Sequence, residues 1–209
     1  MKQRPILFNT PMVQAILAGD KTQTRRIVKP PYDTYPNVTK HITSCEFDFH
    51  FPDGIGQYTA SPYGKPGDQL WVRETFFAYG LWFSSSKGGK WFSDTTHSFD
   101  SGGHRFMDSP PEEIEKGRSS KEGWYKRPSI FMPRGASRIT LEITDIHVER
   151  LHDITEEDAI AEGFPPHTKN GYDMPATYIF GLGWSTINGP ESWDENPWVW
   201  VVAFKRIEA

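Results

Sequence analysis

Cysteine is nearly absent from this 209-residue chain: Cys45 is the only one. No intramolecular disulfide can form, and a zinc site built on cysteines is excluded. The seven histidines are scattered, with no H-x-x-x-H spacing, so no metal site is expected and no motif calls for a cofactor. Long apolar runs are missing too. Nothing approaches the roughly 18 residues of a transmembrane helix, and the opening MKQRPILFNTPM lacks the apolar stretch of a signal peptide. A soluble, cytoplasmic protein with no membrane partner is the expectation.

An excess of positive charge is also lacking. The chain carries 23 Lys and Arg against 27 Asp and Glu, a net charge of −4, which argues against a strongly basic coat for nucleic acid. The distribution is uneven, however. Residues 1–40 hold seven Lys or Arg against Asp20 and Asp33 alone, whereas residues 145–196 hold eleven Asp or Glu against Arg150 and Lys169. An acidic total therefore leaves room for a basic patch, the feature that attracts a phosphate backbone.

What the chain does have is aromatic residues and turn formers. Aromatics make up 14% of it, so the core must lean on them, and 18 Gly with 17 Pro imply many turns. RPILFNT reads as a short strand. TPMVQAILAG reads as a helix capped by Thr10, with Pro11 at its first position, Met12, Ala15 and Ile16 on one face, and Gly19 at its end. TRRIVK is a second strand, and in GKPGDQLWVRETFFAY a turn leads into another. ASRITLEITDIHVERL is the clearest strand, long enough to bend or to pair twice. DITEEDAIAEGF is a short helix in which Thr155 caps, Asp158 reaches back and Gly163 closes. NPWVWVVAFKRI is the last strand, with Trp198, Trp200, Val202 and Phe204 on one face. Two segments, about 30–62 and 79–127, look like insertions made of loop, the second with a hairpin at Gly88–Gly89. Strands outnumber helices without βαβ alternation. One α+β domain over residues 1–209 fits best, a small β-barrel with short helices across its ends.

The densest chemistry lies in GDKTQTRR, Gly19 to Arg26. Its positive charge and hydroxyls suit a pocket for an anionic or amide-bearing group. The order of parts, strand, helix, GDKTQTRR, KPGDQLWV, RITLEIT, acidic helix and closing strand, resembles the ASCH domain of the PUA-like superfamily, including its phage and prophage members. That family's signature is close to G-x-K-x-x-E-x-R. Gly19, Lys21 and Arg26 match it, and Thr24 stands where many members carry Glu. The Thr form resembles the branch of bacterial N(4)-acetylcytidine amidohydrolases. That resemblance implies Lys21 and Thr24 as catalytic groups and, through ITEEDAIAEGF, Glu162 as their carboxylate. It implies a metal-independent amidohydrolase acting on N(4)-acylated cytidine or a related modified pyrimidine nucleoside.

The chemistry sets its own conditions. A threonine hydroxyl is a poor nucleophile without a base beside it. Lysine serves as that base only if its pKa falls from ~10.4 toward ~7–8. Burial, Arg25 and Arg26 push it down, and Glu162 pushes it up. Positions 21 and 24 fall on opposite faces of a regular strand, so they converge only if Lys21 belongs to the turn after Gly19 and the strand begins near Thr24. Thr24, Arg26 and Val28 then share a face, and Arg26 or a backbone N–H is a candidate oxyanion partner.

Other residues compete. Glu74, in RETF, is the rival carboxylate, unless Arg73 or Arg138 pairs with it. Arg134, in the basic segment KRPSIFMPRGASR, is a candidate phosphate contact, and Trp184 is a candidate to stack on a base. From these follow two alternatives: an RNA-binding ASCH or PUA-like module without catalysis, through Arg26 and Arg134, or a ribonuclease using the same basic cleft.

Overall fold

The computed structural model describes residues 1–29, 37–40, 46–50, 56–84, 90–99, 110–118, 120–169 and 171–207. In chain order these form β1 (Gln3–Leu7), α1 (Thr10–Ala18), β2 (Gln23–Ile27), β3 (Asn37–Lys40), β4 (Glu46–His50), β5 (Gly56–Ala60), β6 (Gln69–Arg73), β7 (Phe76–Ser84), β8 (Lys90–Phe99) and β9 (Gly123–Arg127). There follow β10 (Thr140–Arg150), α2 (Glu156–Ala161), β11 (His167–Lys169), β12 (Tyr172–Met174), α3 (Ala176–Asn188) and β13 (Trp198–Ile207). This is an α+β chain rich in strands. No described helix is long and apolar enough to cross a membrane.

The chain divides into two compact units. The first comprises Met1–Arg4, Ala18–Leu70 and Thr140–Ala209; the second comprises Pro5–Leu17 and Trp71–Ile139. A five-stranded sheet has the order β1-β6-β10-β13-β2, and its last three strands belong wholly to the first unit. β13 lies between β10 and β2 and pairs antiparallel with both. Alternation alone would leave every second residue of β13 exposed, yet Trp198 through Val202 are all buried, the pattern of a strand covered on both faces. Trp200 takes the edges of Phe47 and Phe49 from β4, with ring centres 5.0 and 6.2 Å apart. Val199 and Val201 face a core made by Leu151, Ala159, Phe180 and Trp184.

Several sequence expectations are met. The long strand at β10 forms and pairs on both sides, with β6 and, through one register shift between Ile143 and Asp145, with β13. α2 begins at a reciprocal capping box, Thr155 accepting from the Asp158 N–H and Asp158 from the Thr155 N–H. It is followed by Gly163 at φ +88°, the left-handed conformation that favours glycine.

Other expectations are corrected. α1 is capped by Asn9, not Thr10: Asn9 Oδ1 accepts the Met12 N–H at 3.0 Å. Its buried residues are Val13 and Ile16. The segment 30–62 is not only loop. Its described parts form the antiparallel sheet β3-β4-β5. The segment 79–127 likewise carries much of a second sheet, β8-β7-β9, which packs on Phe76, Ala78, Phe99, Met132 and Ala136 in the second unit. β7 and β8 pair from Phe76↔Phe99 to Ser84↔Lys90, as a hairpin requires, while the proposed turn at Gly88–Gly89 lies outside the described residues, as does Cys45. The sequence reading placed no helix where α3 forms. That helix keeps glycine for packing reasons. A Cβ on Gly183 would come within 2.5 Å of the Phe164 ring, and one on Gly181 within 3.3 Å of Trp193.

Candidate active site

The first unit builds a charged cluster where β2 begins and α2 ends. Gly19, at φ +88°, turns the chain out of α1. The backbone then runs beside the end of α2: Lys21 and Glu162 form an isolated antiparallel bridge, and the Thr22 N–H donates to the Ala161 carbonyl at 2.8 Å. The turn thus holds Lys21 before β2 starts at Gln23. Lys21 Nζ donates to Glu162 Oε2 at 2.6 Å and to the Glu162 main-chain carbonyl at 2.8 Å. Both side chains are buried, that of Lys21 completely.

Arg25 extends the cluster. Its guanidinium donates to Glu162 Oε1 at 3.4 Å, to Glu149 Oε1 at 2.6 and 2.8 Å, and lies 3.2 Å from Asp158 Oδ2. Gln23 Nε2 donates to the Asp158 carbonyl and carboxylate, each at 3.0 Å. Gln23 and Arg25, two residues apart on β2, therefore both reach α2, as strand alternation dictates. His147 closes the outer end of the chain of charges, with Nε2 at 3.4 Å from Glu149 Oε2 and Nδ1 at 2.9 Å from Asp145 Oδ2.

The opposing influences on Lys21 resolve in favour of burial. Desolvation holds its ammonium below the ordinary lysine value; Glu162 works against this, and Arg26 and Arg25 add to it. Burial also lowers Arg26, opposed by Tyr63 and Glu162, although an arginine keeps its proton in a protein. Tyr63 is pushed up by burial, with Arg26 opposing. Burial would raise Glu149, but His147 and Arg25 outweigh it and keep this carboxyl low.

The predicted triad is only partly assembled. Lys21 and Glu162 meet at hydrogen-bond distance. Thr24 is buried on β2 opposite Val202, and among the described residues its hydroxyl has no hydrogen-bond partner. No Thr24–Lys21 hydrogen bond is found among the described residues, and two of the Lys21 Nζ protons go to Glu162. Arg26 shares the Thr24 face of β2 and acts electrostatically on Lys21.

The remaining candidates separate by unit. Glu74 belongs to the second unit, where Arg138 holds both its carboxylate oxygens at 3.0 Å, so the structural pairing accounts for the charge in RETF. Arg134, also in the second unit, is exposed in a short 3-10 turn, with its guanidinium 6.0 Å from the centre of the Trp71 ring. Trp184 is no stacking platform: it is 5% exposed inside the α3 core, and its Nε1 donates to the Ser192 carbonyl at 3.3 Å. A cleft of about 380 Å³ in the first unit is lined by Lys2, Arg4, Glu46, Ser61, Lys65 and Asp68, without Lys21, Thr24 or Glu162. Among the described residues no three His, Cys, Asp or Glu side chains converge as metal ligands.

Sequence reading missed Glu149, Asp158 and Gln23 as members of the cluster. A signal existed for one of them: the capping box fixes Asp158 at the start of α2, on the helix whose end carries Glu162. No family model, curated protein or solved structure matches the chain.

Proposed function

We propose that this chain is a metal-independent amidohydrolase on a PUA-like (ASCH) barrel, acting on N(4)-acylated cytidine or a related modified pyrimidine nucleoside. The observation that carries the reading is a fully buried lysine, its pKa lowered, in hydrogen-bond contact with a buried carboxylate. Such a pair exchanges a proton readily, and a lysine lowered by burial is suited to general-base work. Thr24 supplies a hydroxyl three residues away in the sequence, buried on β2.

In the proposed reaction Lys21 leaves one proton on Glu162, and the neutral amine turns to Thr24 and takes the hydroxyl proton as Thr24 Oγ1 attacks the acyl carbonyl carbon. The C–N bond breaks, and the proton passes to N4 of cytidine from Lys21 or through Glu162. Water then hydrolyses the threonine ester and releases the carboxylic acid. Arg26, on the Thr24 face, faces the developing oxyanion.

The test is release of cytidine from N(4)-acetylcytidine, followed chromatographically. Lys21→Arg keeps the charge but removes the base, and should lower turnover by ~10²–10⁴-fold. Thr24→Val should cost a similar factor. Release of no cytidine by the parent protein would overturn the proposal, and cleavage of RNA by the same preparation would favour the ribonuclease reading.

A further inference from the structure

The cleft of about 380 Å³ in the first unit lies apart from the proposed reaction, and its lining is organised around one arginine. Arg4 Nη1 donates to Asp68 Oδ2 at 3.2 Å, and the Lys2 main-chain N–H donates to Asp68 Oδ1 at 2.7 Å. Both carboxylate oxygens of Asp68 are thus occupied. Gly64 lets the backbone lie against this pair. Its φ is +119°, and a Cβ there would come within 2.7 Å of Arg4 Nη1 and 2.9 Å of Asp68 Oδ2. The guanidinium is therefore pinned by a carboxylate and backed by a glycine. Its Nε and Nη2 have no partner among the described residues, and the side chain is 31% exposed.

Other donors of the lining are open as well. Lys2 and Lys65 are exposed, and among the described residues their ammonium groups have no partner. Ser61 is 5% exposed, and its Oγ accepts the Tyr63 N–H at 3.1 Å. Its own O–H finds no acceptor among the described residues. A buried donor without an acceptor is costly, so this hydroxyl calls for an oxygen from outside the chain. Besides Asp68 the lining sets one carboxylate, Glu46, against these donors, and no aromatic ring lines the cleft.

This donor set suits a phosphate. A guanidinium edge takes two phosphate oxygens side by side, and the ammonium groups add point charges. The space exceeds what one phosphate fills and falls in the range of small-molecule sites. Glu46 repels a second anionic group but accepts hydrogen bonds from hydroxyls. A nucleobase would call for a ring to stack on, and the lining has none. We propose that this cleft is a binding site for a phosphate monoester of a sugar or an acyclic polyol. The phosphate meets Arg4, Lys2 and Lys65. The hydroxyls of the ligand donate to Glu46, and one of its oxygens accepts the Ser61 O–H. The site involves none of the residues of the proposed hydrolytic reaction, and stands or falls without it.

The test is isothermal titration calorimetry of the full-length chain in phosphate-free buffer at low salt. The probes are ribose 5-phosphate, glycerol 3-phosphate, inorganic phosphate, ribose and uridine 5′-monophosphate. Both polyol esters should bind more tightly than inorganic phosphate, ribose should not bind, and the tighter ester identifies a cyclic or an acyclic ligand. The nucleotide should bind no more tightly than ribose 5-phosphate. Arg4→Gln should weaken ester binding by about tenfold or more, the loss of a hydrogen bond between charged groups. Lys2→Gln and Lys65→Gln, both at exposed positions, should each weaken it by roughly two- to fivefold. Circular dichroism of each variant shows that the fold is kept, and the two lysine variants carry the test should Arg4→Gln unfold. Absence of binding by both esters, inorganic phosphate or ribose binding as tightly as they do, a nucleotide that binds far more tightly, or lysine variants with the parent's affinity would each overturn the proposal.

Discussion

The two units of this chain use cations in opposite ways. The first is acidic, with 12 Lys and Arg against 19 Asp and Glu, yet it buries two cations: Lys21 and Arg25 are 2% and 4% exposed. Each is matched there by carboxylates, Glu162 for both and Glu149 and Asp158 for Arg25. The second unit is basic, and its described arginines lie against aromatic rings, Arg127 on Trp82 and the exposed Arg134 near Trp71 among them. The difference follows from desolvation. A cation taken fully out of water needs a full opposite charge, whereas one left partly wet also gains from the weaker field of a ring quadrupole.

The contrast can be broken most sharply at Glu162. Glu162→Ala leaves Lys21 and Arg25 buried with one carboxylate fewer, and unfolding by urea should show a loss of about 3–5 kcal/mol. Replacing both partners of the pair, Lys21→Met with Glu162→Leu, should recover much of that loss, because no buried charge is then left uncompensated. A double variant as unstable as the single one would mean that packing rather than charge sets the cost.

A smaller effect is expected in the second unit. Arg127→Ala removes a guanidinium from three rings and should destabilise by about 0.5–2 kcal/mol, measured in the same way. A loss matching that of Glu162→Ala would erase the proposed distinction between the units.

The smallest effect is a pH dependence at the rim of the first unit's cluster. Hydrogen bonding to Glu149, helped by Asp145 and opposed by burial, raises the His147 pKa. A raised folded-state value means that the folded protein binds the proton more tightly than the unfolded chain. The resulting stability is fully present below the unfolded value of ~6.5 and is lost as pH rises through the folded one. His147→Gln should therefore flatten thermal stability across that window and leave the alkaline limb unchanged. An unaltered profile would remove His147 from the electrostatics of the cluster.

Much of the first unit's site was legible before the fold was known. Gly19 marked a turn, and the Thr155–Asp158 box marked a helix. It was the resemblance to the ASCH domain that singled out Lys21 and Glu162 together. Whether Thr24 meets Lys21 was not legible, because it depends on how the turn after Gly19 sets the two side chains against the alternation of β2. α3 was hidden because Gly181 and Gly183 read as turn residues, while their role is to admit Trp193 and Phe164. The sheets β3-β4-β5 and β8-β7-β9 were hidden by their surroundings. EFDFH and FFAYGLWFS have strand character, but the Gly, Ser and Pro around them dominate any window-based reading. Asn9 escaped notice because Thr10 and Asn9 are both good caps and only geometry chooses between them.

The position of β13 has a consequence for the order of events during synthesis. β2 emerges from the ribosome early, with Lys21 and Arg25, but its sheet neighbour β13 is made much later. Glu162, which lies 141 positions after Lys21, also comes late. Until both have appeared, the nascent chain carries two cations that no folded interior can accept, so this unit cannot close from its N-terminal end as translation proceeds. The second unit, by contrast, has all its strands and rings once residue 139 has emerged. The basic, ring-bearing unit is therefore complete while the unit with the buried charges is still waiting for β13.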